Sequence, residues 1–130
     1  MKKIPFLQID NSNISRPYIF VTVMNPENSK SLSIYALIDT GADECCFPIE
    51  YAQILGHDFK KGNSKKIMSA NGISEVYSHT NRIYIEGYMT KDILIDFSET
   101  LKTPLLGVRN FLCDFILTVN YPQKYFILEQ

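Results

Sequence analysis

The residues best suited to chemistry are Asp39, Thr40 and Gly41, where the strand-forming run Tyr35-Ala36-Leu37-Ile38 ends on a carboxylate, a hydroxyl and a glycine. A carboxylate at the end of an apolar strand loses part of its hydration and depends on nearby donors. Gly41 lacks a Cβ and lets the turn bring backbone N–H groups toward the acid. Thr40 offers a hydroxyl that can tie the loop down. Such a loop can hold an acid that activates water. The same tripeptide also makes an Asx-turn that merely closes a strand. On these residues alone both readings stand.

Other chemistries find less support. A metal- or phosphate-binding role for Asp39 lacks a second acid two residues on, and no glycine-rich phosphate loop follows a strand. The three cysteines, Cys45, Cys46 and Cys113, show no C-x-x-C or Cys/His spacing for zinc. They are expected to be small buried thiols in a reducing compartment, which predicts a cytoplasmic protein. His57 and His79 are not spaced with a cysteine or serine for nucleophilic catalysis, and His57 is expected to be solvated or to cap a helix.

The elements that must position Asp39 follow from periodicity. With 130 residues, 45% of them hydrophobic, the chain is expected to form one domain over residues 1–130 with a sizeable core. A net charge of −1 gives no basic face for nucleic acid, and Lys60, Lys61, Lys65 and Lys66 are expected to be a solvated loop. No apolar run approaches the ~20 residues of a membrane span, and Ile4 to Leu7, broken by Pro5, is too short for a signal peptide. Tyr18–Val23 and Leu32–Ile38 read as a hairpin that delivers the chain to Asp39, with its turn at Asn25-Pro26-Glu27-Asn28-Ser29. Phe47 to Gly56 reads as a short helix, with Pro48 near its start, Gly56 past its end, and Ile49, Ala52, Ile54 and Leu55 on the apolar face.

Strands then dominate. Asn71-Gly72 is the strongest hairpin signal, with arms Lys65–Ser69 and Ser74–His79. Those arms are so polar that the hairpin is expected to be mobile and to stand off the body. Arg82–Ile85 and Ile93–Phe97 follow, joined by a turn at Glu86-Gly87, with Ile93, Ile95 and Phe97 alternating inward. Thr103-Pro104-Leu105-Leu106-Gly107 is an apolar strand ending on a glycine, and Val108–Phe115 is long enough for a short helix. Phe115–Val119 and Tyr125–Leu128 form a last hairpin.

Taken together, Leu37-Ile38-Asp39-Thr40-Gly41-Ala42-Asp43, the Asn71-Gly72 hairpin and Leu105-Leu106-Gly107-Val108-Arg109-Asn110-Phe111 resemble, in order and spacing, the retropepsin-like aspartic proteases over nearly the whole chain. The resemblance implies an all-β fold, a closed barrel of hairpins with one or two short helices. It implies an aspartic endopeptidase with no metal or other cofactor, Asp39 as the catalytic acid and Thr40 and Gly41 as its support. Ala42 and Asp43, with Asn71, Gly72 and Ile73 at the tip of a closing flap, would hold a peptide or protein substrate, with pockets favouring apolar side chains around the cut. Leu105, Leu106 and Gly107 match the strand beside the catalytic loop. Only one Asp-Thr-Gly occurs, and Ile95-Asp96-Phe97-Ser98 lacks the following hydroxyl and glycine. The second acid must then come from a second copy of the chain, so a homodimer is implied, with no nucleic-acid or membrane partner. Val108 stands where many viral members have arginine, which leaves the role of Arg109 open. A non-catalytic peptide-binding or assembly module on the same fold is the alternative.

Overall fold

Alternating β-branched and aromatic residues make strands of nearly every segment that carries them. The computed structural model describes residues 2–9, 11–58, 61–69, 72–86 and 90–130. Among these, strands run over Ile4–Pro5 (β1), Tyr18–Met24 (β2), Ser31–Ile38 (β3) and Cys45–Pro48 (β4). One helix, Ile49–Ile54 (α1), follows directly, and then Asn63–Ser69 (β5), Gly72–Tyr84 (β6), Lys91–Ser98 (β7), Leu105–Leu106 (β8), Ile116–Asn120 (β9) and Tyr125–Glu129 (β10).

The larger sheet runs β2-β3-β8-β4-β7-β6-β5, and β2 also pairs with β6. That extra pairing, Thr22–Met24 against Arg82–Tyr84, joins the two ends of a six-strand ring and makes it a closed barrel. Within this sheet β5 lies outside the ring, hydrogen-bonded to β6 as the outer arm of a hairpin. A second sheet, β1-β10-β9, gathers both ends of the chain. The all-β barrel expected from the sequence is the observed architecture.

Inside the barrel, Val21, Val23, Ala36, Ile83, Ile95, Phe97 and Leu106 are fully buried or nearly so. Phe47 of β4 meets Phe97 of β7 edge-on at 6.3 Å and Tyr51 of α1 at 6.1 Å. Such pairs add ~0.5–1.5 kcal/mol each beyond the area they bury. Through Ala52 and Leu55, α1 seals this end.

Several expectations are corrected. The helix begins at Ile49 rather than Phe47, because Cys45–Pro48 hydrogen-bonds into the sheet between β7 and β8. Ile54, expected on the apolar face, is 51% exposed. Val108–Phe115 forms turns and a single 3-10 turn, Leu112–Asp114, rather than an α-helix. Ser74–His79 and Arg82–Tyr84 are one continuous strand of 13 residues. Lys65 and Lys66 lie in β5 rather than in a loop, and Lys60 lies outside the described residues, as does Gly87 of the expected turn. Cys45 is buried, Cys46 half-buried and Cys113 exposed.

His57 caps the helix, as one of its two expected roles, through its backbone N–H to Ala52 O at 2.9 Å, while its half-buried ring is held by neighbours rather than solvated. It stacks on His79 at 4.5 Å between ring centres, and its Nε2 donates to Asn81 Oδ1 at 2.7 Å. Asn81, wholly buried, is fixed by donating its own amide to the His79 carbonyl at 3.1 Å. On the other side Asn25 presents its amide NH₂ to Leu55 O at 2.9 Å and to His57 Nδ1 at 3.4 Å. Asn25 Oδ1 meanwhile accepts from the Glu27 N–H at 3.0 Å. The pocket is therefore built for the neutral imidazole, with a donor facing Nδ1. Desolvation holds the His57 pKa below its ordinary value, and neighbouring His79 adds to the shift; the bond to Asn81 works the other way. A depressed base binds its proton later in the folded state than in the unfolded chain. Its contribution is complete above the unfolded value of ~6.5 and is lost as pH falls through the folded one. Unfolding titrations of the wild type should show stability declining below about pH 6.5, and His57→Gln should flatten that decline; an unchanged slope would contradict this assignment.

Candidate active site

β3 delivers Asp39 to the barrel's end because β8 seats beside it in parallel, Leu105 against Leu37 and Leu106 against Ile38. Leu37 N–H donates to Pro104 O at 2.8 Å and Asp39 N–H to Leu106 O at 3.1 Å. The loop then folds back on itself and on the chain after β8. Ala42 N–H reaches Asp39 O at 3.2 Å, Val108 N–H reaches Ala42 O at 2.9 Å, and Arg109 N–H reaches Asp43 O at 2.7 Å. The carbonyls of Ala42 and Asp43 and the N–H of Asp39 are thus tied to β8 and the residues just after it, which fixes the loop against the barrel.

The Asp39 side chain is half-buried, and its Oδ1 accepts the Gly41 N–H at 2.9 Å. This contact supplies the backbone donor that the glycine was expected to bring; it is also an Asx-turn, so the single chain carries both readings in one geometry. A Cβ on Gly41 would sit 3.3 Å from Asp39 Oδ1. Thr40 is exposed at the loop's outer face.

Gly41, Ala42 and Asp43 form one side of an open cavity of about 630 Å³, and the opposite side comes from the β5–β6 hairpin, including Lys65, Met68, Ser74 and Val76. Gly72 opens β6 with φ +108°, the left-handed region that glycine tolerates. Ile73 is 68% exposed beside the tip, opposite Met68, itself 81% exposed. Neither Gly72 nor Ile73 is part of the cavity wall, and Asn71 lies outside the described residues. The structure thus brings Ala42 and Asp43 together with the body of the hairpin and Met68, while Ile73 beside the tip is exposed and lies outside the cavity wall.

A polar cluster in the cavity wall was not expected from the sequence. On β7, Asp96 is 2% exposed, although only Ile93, Ile95 and Phe97 were expected to face inward. Its Oδ1 accepts from Ser78 Oγ at 2.5 Å, and Lys65 Nζ lies 2.9 Å from its Oδ2. Lys65 is also 3.9 Å from Glu44, and Arg109 pairs with Glu44 at 3.1 Å. Arg109 therefore keeps an ion pair next to the acid loop; at 72% exposure such a pair stabilises by no more than ~1 kcal/mol. Burial pushes the Cys46 thiol up to about 12, with Asp96 adding to the effect, so it is an inert wall group rather than a nucleophile. The available signal for this face was the i, i+2 spacing of Asp96 and Ser98.

Among the described residues, no group of three or more His, Cys, Asp or Glu side chains is arranged to hold a metal, and no helix is long and apolar enough to cross a membrane.

A ring of strands closed by β2–β6, an Asp-Thr-Gly loop at the end of β3 and a parallel β8 beside it define a retropepsin-like, all-β aspartic protease fold. Solved structures carry the same fold. A retropepsin-like aspartic protease from Rickettsia conorii superposes with a TM-score of 0.72 at 24% identity, over 98% of this chain and 99% of that one. EIAV protease complexed with the inhibitor HBY-793 superposes with a TM-score of 0.53 at 23% identity, over 82% of this chain and 93% of that one. No family model and no curated protein matches the sequence.

Gly107 is where the site tolerates least. A Cβ there would lie 2.3 Å from Glu44 O and 2.7 Å from Ala42 O, both backbone atoms of the acid loop. Gly107→Ala must push β8 and that loop apart, and is expected to destabilise the fold by more than ~2 kcal/mol, measured by denaturant unfolding. A loss within ~0.5 kcal/mol, the range of ordinary surface changes, would refute it.

Proposed function

We propose that the chain, as one domain over residues 1–130, is an aspartic endopeptidase working as a homodimer, with Asp39 and Asp39 of the partner subunit as the catalytic pair. The observation that carries this reading is the single Asp-Thr-Gly held by β8 and Gly107 at the end of β3 within a retropepsin-like fold.

One carboxyl cannot be general base and general acid in the same amide hydrolysis. Two carboxyls sharing a proton can. The ionised member takes a proton from a bound water as its oxygen attacks the scissile carbonyl carbon. The protonated member donates to the carbonyl oxygen as negative charge develops there. Because the chain has one Asp-Thr-Gly, a twofold axis must supply the second acid. Thr40, exposed on the loop, would reach across that axis. An extended peptide would lie between Ala42-Asp43 and the β5–β6 hairpin, pairing through its backbone as an added strand. The tip at Asn71, Gly72 and Ile73 would close over it. The three free cysteines suit a reducing, cytoplasmic setting.

Sedimentation combined with a peptide-library digest, on wild type and Asp39→Asn, tests the proposal. Wild type should be dimeric and cleave. Asp39→Asn should lose at least ~100-fold in rate while dimerising as well or better, since it removes a strained proton-sharing pair. A wild-type monomer at micromolar concentration that cleaves at no pH would replace this reading with a peptide-binding or assembly module. The pH profile adds a second check. A serine in place of Ala42 could donate to the carboxylate; alanine cannot, so the anion has one donor fewer and a weakly acidic optimum is expected. A peak below about pH 3.5, under the ordinary aspartate value, would contradict it.

A further inference from the structure

The cavity between the acid loop and the hairpin combines apolar walls, among them Met68, Val76 and Leu105, with a buried carboxylate, Asp96. Strand register explains its floor. Asp96 pairs with Cys46, and Cys46 with Leu105, so one row crosses β7, β4 and β8 on the cavity wall, and Ser78, the partner of Asp96 on β6, bonds to its carboxylate from beside the cavity. Lys65 reaches that row from β5, the outer arm.

A buried ion pair is a poor device for stability alone, since apolar residues of like volume do as well. The geometry of this one is also incomplete. Asp96 Oδ2 is fully buried and receives no hydrogen bond among the described residues, although the Lys65 ammonium stands at ion-pair distance. The counter-charge is loosely held: Lys65 is 41% exposed, on an edge strand, with Glu44 already 3.9 Å away as a second place to rest.

Resting on the endopeptidase reading, we propose that Asp96 is a specificity-determining residue, and that this cavity takes a basic side chain of the substrate in exchange for Lys65. An entering lysine or arginine places its cation on Asp96 Oδ2, and Lys65 withdraws toward Glu44. The burial of Asp96 gives the exchange its selectivity, because a buried carboxylate left without a cation or donor is strongly disfavoured, and an apolar side chain that displaced Lys65 would leave it so.

The test is a peptide series in which lysine or norleucine replaces each residue flanking the cut in turn, with the kcat/KM ratio of the two peptides read for each position. In wild type one position should favour lysine about tenfold, the scale of a well-placed polar contact. Asp96→Asn should bring that ratio to parity, and Lys65→Met, which removes the competitor, should raise it. A ratio taken within one protein is insensitive to how much of that protein is folded, so a poorly folding Asp96→Asn still reports. The inference is overturned if wild type favours lysine nowhere, or if either substitution leaves the ratio unchanged. If wild type cleaves nothing, the endopeptidase reading fails by itself. The same peptides titrated calorimetrically against wild type then decide the pocket: tighter binding of a lysine peptide, lost in Asp96→Asn, supports it, and equal or absent binding overturns it.

Discussion

The seating of β8 against the end of β3 is the contact on which the rest depends. Two residues, Leu105 and Leu106, pair in parallel with Leu37 and Ile38, and the chain then passes so close beneath 42–44 that only a glycine fits at 107. Two hydrogen bonds beyond it, from Val108 and Arg109 to the carbonyls of Ala42 and Asp43, complete the clamp. A short parallel pairing between segments far apart in sequence is a weak local structure. It persists because both strands belong to a closed ring whose interior is dry and full, so neither can leave without opening the barrel.

The ring has two chemically different faces near the site. One is the aliphatic and aromatic interior, from Val21 to Phe97. The other lies under the hairpin, where Asp96 and Ser98 alternate with the interior residues and are nevertheless covered. A strand with both faces covered ordinarily reads as continuously apolar. Here one side of β7 is polar, and Asp96 on it meets the Ser78 hydroxyl and the Lys65 ammonium from neighbouring strands.

Much of this was legible in the residues. The long strands were, since alternation and turn composition are local properties: the hairpin from Tyr18 to Ile38, the Asn71-Gly72 arms and the final hairpin all lie where the sequence puts them, within a residue or two at most ends. The acid loop and Leu105-Leu106-Gly107 were visible as motifs. What was not visible depends on partners. β1 and β4, of two and four residues, are strands only because β10, β7 and β8 hydrogen-bond to them. Thr80-Asn81 looked like a break between strands, yet the strand runs through, because Asn81 is buried with its amide taken up by His57 and the His79 carbonyl. Asp96 was read as facing out for the same reason: a charge is hidden from sequence patterning once its counter-ion arrives from a strand some 30 residues earlier.

The uninterrupted length of β6 has a mechanical meaning. Its first half is an arm of the hairpin over the cavity, and its last residues, Arg82 to Tyr84, are the staves that close the ring against β2. Between those ends the strand is laddered to β7 from Val76 to Ile83, and Gly72 to Glu75 extend past that neighbour. A lift of the hairpin tip therefore strains the near end of the β6–β7 ladder, around Val76 and Tyr77, and leaves the seam at Arg82 to Tyr84 undisturbed.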